Sequence, residues 1–148
     1  MLRINKDVEY ALMSLMAMGK DERVVSAREL SERFQIPYGL LCKILNKLAH
    51  AQIIVSVQGA RGGYRLNGTL NDITIGRVME SVHGPLRVAA CLDDEGGCIQ
   101  ECNCNIKGIV QRVQNQWALF VHSMTLSQFA AWDRLDGTSD ETAARAPA

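Results

Sequence analysis

The apolar positions of the chain repeat every three to four residues in several separate stretches, which is the spacing of amphipathic helices. These stretches lie at 4–18, 26–34, 37–51, 75–82 and 106–124. A shorter one runs from Thr125 to about Trp132. Only between residues 53 and 66 do β-branched and aromatic residues surround a glycine-rich turn. The pattern therefore predicts a mainly α-helical protein with one small β-hairpin.

The second and third predicted helices have clear boundary signals. Ser26 and Glu29 have the spacing of a capping box, and Val25 and Leu30 stand at the positions of a hydrophobic staple. Pro37 ends the second helix, since proline disfavours helix in the residue before it, and it can open the third. Two short helices joined by a tight turn are typical of a helix-turn-helix.

The predicted hairpin follows the third helix directly. Ile53–Val57 and Tyr64–Leu66 are its strands, and Arg61 lies in the glycine-rich turn between them. A hairpin at this place predicts a wing, so that the fold is a winged helix-turn-helix. Glycines let the tip approach a nucleic-acid backbone closely, and Arg61 can enter a minor groove or contact phosphate.

Charge divides the chain into a basic and an acidic half. Residues 1–66 contain ten Lys and Arg against six Asp and Glu, whereas residues 67–148 contain six against ten. Residues 34–66 contain no acid, as expected of a phosphate-binding surface, although a chance fluctuation is the alternative. The DNA-contact candidates are Tyr38, Gly39, Lys43, Lys47, Arg61, Gly62 and Arg65. Lys43 and Lys47 could also be merely solvated helix charges.

The long C-terminal helix predicted at 106–124 has a broad apolar face and few evident partners beyond the helix at 4–18. Such helices often pair two subunits, so we expect a homodimer, with packing on the same domain as the alternative. Residues 133–148 have the composition of a disordered tail. No apolar run approaches the roughly 20 residues of a membrane span, and the N-terminus lacks a signal-peptide core. These features favour a cytoplasmic protein.

Four of the five cysteines lie between residues 91 and 104. Thiols at this density indicate a metal or a disulfide, and a reducing cytosol favours metal. An iron–sulfur cluster, a Cys₄ zinc site and a thiol–disulfide switch stay open, although Cys102 and Cys104 are closer together than in typical structural zinc sites. Cys42, in the third helix, is interpreted as a small buried hydrophobe. Motifs of phosphate-binding loops, metalloproteases and hydrolases are missing, so we do not predict an enzyme.

The order of these parts resembles the Rrf2 family of bacterial winged-helix transcription regulators over roughly residues 1–130. The matching stretches are the three-cysteine loop and Met1–Ile4, Glu9–Leu12, Glu29–Pro37, Val57–Leu66 and Ile73–Glu80. Within the family the chain looks most like the branch that senses iron–sulfur cluster or nitric oxide status. The resemblance implies a homodimer joined by the long helix, a recognition helix at about 37–50 and a wing around Arg61. It also implies a repressor of cluster-assembly or redox-stress genes.

The resemblance further implies an iron–sulfur cluster, [2Fe–2S] or in some members [4Fe–4S], held by Cys91, Cys98 and Cys104. Six residues separate Cys91 from Cys98 where five is common, and Cys102 is an additional thiol. Some members have a histidine ligand three residues after the last cysteine, but this chain has Lys107 there. The fourth ligand is then Glu9, by analogy with members that borrow a carboxylate from the partner subunit, or Cys102.

These interpretations divide the chain into four parts. Residues 1–84 form the DNA-binding domain, 85–105 the cysteine loop, 106–132 the dimerisation helix with a short C-terminal helix, and 133–148 the tail. The hypothesis for regulation is that cluster binding orders the loop and resets the spacing of two recognition helices. Half-sites read by such a dimer lie about 34–36 Å apart.

Overall fold

The computed structural model describes residues 4–21, 23–92 and 98–136, with side chains described only as far as residue 131. Helices and one antiparallel hairpin make up this part of the chain, which confirms the predicted fold class. The helices are α1 (Lys6–Asp21), α2 (Ala27–Phe34), α3 (Tyr38–His50), α4 (Ile75–His83), α5 (Lys107–Ser123) and α6 (Leu126–Asp136). The strands are β1 (Ile54–Val57) and β2 (Gly63–Leu66). Single 3₁₀ turns lie at Leu70–Asp72, Ala90–Leu92 and Glu101–Asn103.

The hydrophobic core lies among α1, α3 and α4, with the hairpin closing one end. Leu15 of α1, Leu41 and Leu45 of α3 and Val78 of α4 are fully buried. Burying a leucine or valine side chain stabilises the fold by roughly 1.5–3 kcal/mol. The recognition helix therefore stands on a core that also includes α4.

The start of α2 confirms one half of the predicted capping box and changes the other. The Ser26 hydroxyl accepts a hydrogen bond from the Glu29 amide at 3.1 Å, and Val25 and Leu30 are fully buried as a staple requires. The Glu29 carboxylate, however, forms a two-point ion pair with Arg23. Sequence spacing did not reveal this pairing, because Arg23 belongs to the preceding loop.

The wing hairpin pairs Ile54 with Leu66 and Val57 with Gly63. A third segment joins it, since Val25 and Tyr64 exchange backbone hydrogen bonds at 2.9 and 2.8 Å. Gly63 lies at this junction, where a Cβ would overlap the carbonyl group of Val25. The close approach of two backbones therefore requires glycine.

We expect Gly63→Ala to lower the free energy of unfolding by about 2 kcal/mol, because the clashing atoms belong to rigid backbone. Thermal unfolding followed by circular dichroism would measure the change in Tm. Gly39→Ala is the matched control, since a Cβ there meets nothing within 4 Å and alanine favours helix. Equal Tm values for Gly63→Ala and the parent protein would contradict this account of the junction.

The long helix α5 packs against α4 as its main partner, whereas the sequence pointed to the helix at 4–18. Gly76 of α4 permits this contact, because a Cβ there would lie 2.7 Å from Nδ1 of His122. The following helix, α6, extends to Asp136, four residues beyond the predicted end, and the rest of the predicted tail lies outside the described residues. Among the described helices, none is long and apolar enough to cross a membrane.

Candidate functional site

The N-terminal end of α3 presents two of the predicted DNA contacts to solvent. Tyr38 is 55% exposed, and Gly39 is exposed with open space in front of it. A hydrogen bond with the Cys42 thiol, one turn along the helix, raises the pKa of the Tyr38 hydroxyl above its ordinary value. Both residues are therefore accessible to a ligand, and Gly39 leaves space for a nucleic-acid backbone.

Among the described residues, two other candidates lack an acidic partner. Lys43 on α3 and Arg61 at the wing tip are exposed, and neither forms an ion pair within this part of the chain. Arg23 and Arg33, by contrast, bind Glu29 and Asp21, so their charges are largely neutralised. The recognition helix and the wing tip therefore each present a positive charge that no acid in the described part of the chain compensates.

The sequence predicted that Lys47 contacts DNA or is solvated, but in the structure its ammonium group binds another helix. Its Nζ donates a 2.7 Å hydrogen bond to the carbonyl oxygen of Val82, in the last turn of α4. Arg77 of α4 donates in return to the carbonyl oxygen of Ala51, at the end of α3, at 3.0 Å. A cation at a helix C-terminus is favourable because the last carbonyls lack partners and the dipole is negative there. The two helices therefore cap each other.

The remaining wing candidates have structural explanations as well. Gly62 closes the turn by donating its amide to the Gly59 carbonyl oxygen at 2.9 Å, and a Cβ at Gly62 would overlap backbone oxygens. Gly59 itself has a φ of +121°, which favours glycine. The Arg65 guanidinium donates to the carbonyl oxygen of Leu66 at 3.3 Å. Arg65 also lines a surface cleft of about 470 Å³ together with Arg23.

Sequence reasoning missed Arg28, an exposed cation in the first turn of α2. It lies close enough to Tyr38 to influence that hydroxyl electrostatically, and so does Tyr64 of the wing. The tertiary fold thus brings α2, the start of α3 and β2 together around Tyr38. The sequence signal that could have found Arg28 is its place near the N-terminus of the first helix of the motif, which crosses the DNA backbone in this architecture.

Cys42 is half-buried, whereas the sequence interpretation made it a buried core residue. It lies between Leu41 and Lys43 on the edge of the recognition helix, and its thiol contacts the Tyr38 hydroxyl. The correction has a simple cause, since the buried stripe of α3 is formed by Leu41, Ile44, Leu45 and Leu48, and Cys42 falls just beside it.

The cysteine loop brings two of its predicted ligands toward one ammonium group. Lys107, the first residue of α5, forms an ion pair with Glu101 at 2.5 Å. The Glu101 carboxylate raises the pKa of Lys107, and the nearby Cys104 and Cys91 thiols raise it further. Cys91 and Cys104 therefore lie near the same positive charge at the N-terminal end of α5, where the helix dipole also favours anions.

The structure does not bring the other predicted ligands, Cys98, Cys102 and Glu9, to the same ammonium group. Cys98 is half-buried, and residues 93–97, which connect it to Cys91, lie outside the described residues. Cys102 is exposed on the 3₁₀ turn. Glu9 pairs with Lys6 at 2.6 Å on the surface of α1. Within the described part of the chain, no three metal-binding side chains already form a site.

The donor chemistry of the loop nonetheless fits an iron–sulfur cluster. All four of its cysteines are free thiols. Cys91 and Cys102 are exposed, and Cys98 and Cys104 are half-buried. Soft thiolates are the donors that such clusters take. Cys91, Cys98 and Cys104 would hold the group, with Lys107 and the start of α5 offsetting its negative charge.

The profile of the Rrf2 family, described as an iron-dependent transcriptional regulator, matches residues 4–131. The chain belongs to the Rrf2 family. It is therefore a DNA-binding transcription regulator and not an enzyme, as the sequence predicted.

Relatives of the chain include transcriptional regulators called NsrR and IscR. The transcriptional regulator NsrR of Shouchella clausii is 25% identical over 128 residues, which is 86% of this chain and 83% of that protein. The transcriptional regulator IscR of Vibrio campbellii is 25% identical over 129 residues, covering 86% of this chain and 76% of the relative.

Solved structures of Rrf2 proteins share the fold. CymR, the global cysteine regulator of B. subtilis, superposes with a TM-score of 0.70 at 23% identity, covering 89% of this chain and 98% of CymR. IscR of T. potens gives a TM-score of 0.66 at 21% identity, with 98% and 94% coverage. These similarities establish the winged-helix architecture for the chain.

Proposed function

We propose that the protein is a homodimeric repressor that binds a double-stranded DNA operator and responds to iron–sulfur cluster status through the loop at 91–104. On the DNA side, the proposal is supported by the exposed cations Lys43, Arg61 and Arg28, which form no ion pair within the described residues, and by the exposed Tyr38 and Gly39. Phosphate contacts by such cations supply most of the affinity, and side chains at the start of a recognition helix reach base edges.

The dimer is proposed on the outer face of α5. Exposed residues recur there at alternating spacings of three and four, as in a coiled-coil seam. This seam, defined by its members, consists of Ile106, Ile109, Val113, Gln116 and Phe120. Its four apolar members are 48–61% exposed in the single chain, although the inner face of the same helix is buried on α4. A second copy of this chain is the proposed occupant, with Gln116 as the polar position that sets the register.

The metal site is proposed on Cys91, Cys98 and Cys104, with Glu9 of a second copy or Cys102 as the fourth ligand. The observation that carries it is the set of four free thiols between residues 91 and 104, which are the donors that such a cluster takes. Cys91 and Cys104 both also raise the pKa of Lys107 at the start of α5. A bound cluster, most simply [2Fe–2S] with [4Fe–4S] as the alternative, would supply a group sensitive to oxidation and nitric oxide. The description of the family as iron-dependent supports the same assignment.

The route from the loop to DNA is proposed to run through α4. This helix packs on α1, α3 and α5, and the chain from its end leads directly into the loop. The mutual caps made by Lys47 and Arg77 join α4 to the recognition helix. A displacement of the loop would therefore move α3 together with α4, and so change the distance between two recognition helices in a dimer.

The decisive experiment is anaerobic purification, followed by a visible absorption spectrum and analysis of iron, acid-labile sulfide and zinc. A brown protein containing iron and acid-labile sulfide supports the proposed cluster. Control of cluster-assembly or redox genes is the further expectation, which operator binding would test. A colourless protein with stoichiometric zinc would make the loop a zinc-stabilised element. A metal-free protein whose DNA affinity changes on thiol oxidation would be a thiol–disulfide switch, the other alternative.

Arg61→Ala is expected to weaken operator binding about tenfold, or roughly 1.4 kcal/mol, because it removes a charge that no acid among the described residues compensates. The slope of log affinity against log salt should fall by about one, as for a lost phosphate contact. Fluorescence anisotropy at several salt concentrations would measure both. Arg33→Ala is the matched control, since Asp21 already neutralises Arg33. Equal losses in the two variants would contradict the assignment of Arg61, and iron content should stay unchanged in both.

A further inference from the structure

One buried polar side chain of α5 bonds entirely outside its own helix. Gln114 is 7% exposed, and apart from Ser14 it is the only buried polar residue in the described part of the chain. Ser14 bonds to the Tyr10 carbonyl oxygen, one turn back along α1. Gln114 instead reaches the segment between α4 and the cysteine loop, where its Oε1 accepts from the Val88 amide at 2.9 Å and its Nε2 donates to the Leu86 carbonyl oxygen at 2.5 Å.

The two bonded groups belong to residues two positions apart. In a parallel sheet, one residue of the neighbouring strand bonds to a carbonyl and an amide that are two positions apart in this way. The Gln114 carboxamide therefore makes the same pair of hydrogen bonds, to the Leu86 carbonyl and the Val88 amide, as a neighbouring strand would make. Its burial makes the bonds important, since a buried amide or carbonyl left without a partner costs the protein its desolvation penalty. An apolar side chain of similar volume would fill the space but could satisfy neither group.

The clamped segment leads directly to a proposed metal ligand. Val88 is three residues before Cys91, and Leu86 is anchored in the core. Gln114 lies two helical turns, about 10 Å, from Lys107, the first residue of α5, and Cys104 precedes Lys107 by three residues. One thiol therefore lies just before the start of α5, and the middle of the same helix holds the segment that leads to the other.

We infer that Gln114 is a positioning residue, which holds Leu86–Val88 against α5 and so places Cys91 beside Cys104. That Cys91 and Cys104 are cluster ligands rests on the proposed function. The placement of these two thiols by Gln114 does not depend on it. The inference assigns to α5 a second task besides pairing subunits, because its inner face determines the geometry of the loop.

The test compares Gln114→Leu with the parent protein in a background in which Cys98 and Cys102 are changed to Ser. The metal-free protein is titrated with phenylarsine oxide, which bridges two neighbouring thiols. We expect Gln114→Leu to bind the arsenical at least about tenfold more weakly, and the Val88 amide to exchange its hydrogen at least about tenfold faster. Gln111→Leu is the matched control on α5, since Gln111 is exposed and bonds only to Asn115 of the same helix. It should change neither value.

A second variant distinguishes the loss of these two hydrogen bonds from a general folding defect. Gln114→Glu keeps the acceptor for the Val88 amide and loses the donor to Leu86, so arsenical binding should fall between that of the parent and that of Gln114→Leu. Unchanged arsenical binding in a folded Gln114→Leu protein would overturn the inference, and so would equal losses in Gln111→Leu. If the parent binds no iron after anaerobic reconstitution but the arsenical difference holds, the inference stands and the proposed cluster fails.

Discussion

Val113→Glu is expected to convert the protein to a monomer at micromolar concentration and to lower operator affinity at least about 100-fold. Val113 lies at the centre of the apolar seam of α5, so each subunit would bury a carboxylate without a partner. A monomer also loses the simultaneous binding of two half-sites, which supplies most of the affinity of such dimers. Light scattering after size exclusion and DNA anisotropy would measure the two effects.

The same variant should fold normally, because Val113 is half-exposed in the single chain and α5 keeps its contacts with α4. Gln111→Glu adds the same charge to the same helix away from the seam and should leave a dimer with parental DNA affinity. A Val113→Glu dimer of parental mass would show that two copies associate through another surface. In that case the exposed apolar face of α5 would need a different partner.

Cys98→Ala should reduce iron and acid-labile sulfide after anaerobic reconstitution to less than about one tenth of the parental content, because a cluster with three protein thiolates loses one of them. The dimer should persist, since Cys98 lies in the loop and not on the seam. Cys42→Ala, a change of the half-buried thiol on α3, is the control and should retain its iron. Full iron content in Cys98→Ala would exclude it as a ligand.

Visible spectra of anaerobically reconstituted variants would identify the fourth ligand. Glu9→Ala is expected to shift the visible spectrum if a carboxylate from a second copy completes the site, whereas Cys102→Ala should shift it if the loop supplies the ligand itself. Glu9 is engaged by Lys6 on the surface, so the first case requires that this exposed pair open in the dimer. Such surface pairs contribute little to stability, and opening one is inexpensive.

Much of the DNA-binding half could be predicted from local signals. Ser26 caps α2 and Pro37 immediately precedes α3, because both residues act on the backbone next to them. The glycines around Arg61 likewise predicted a hairpin, since Gly59 and Gly62 are required by the turn itself. The dimer seam and the three cysteine ligands remain predictions, and part of the loop lies outside the described residues.

The sequence could not predict which basic side chains stay available for DNA and which bind another part of the protein. Arg28 and Arg33 are five residues apart on one helix, yet only Arg33 meets Asp21 of α1. Lys47 has the same local sequence signals as Lys43, but only Lys47 reaches the last turn of α4. Such pairings depend on how two elements pack, and that packing brings together residues distant in the chain.

By itself, the sequence determined the order of the helices, the winged helix-turn-helix, the basic surface and the clustering of thiols, because caps, turns, periodicity and residue type act within a few positions. Only the tertiary structure decided that α5 packs on α4, that Lys47 and Arg77 cap opposite helices, and that Gln114 holds the segment before Cys91. Each of these contacts joins residues about 26 or more positions apart. Their partners are chosen by burial and by the need of backbone groups for hydrogen bonds, which no local pattern records.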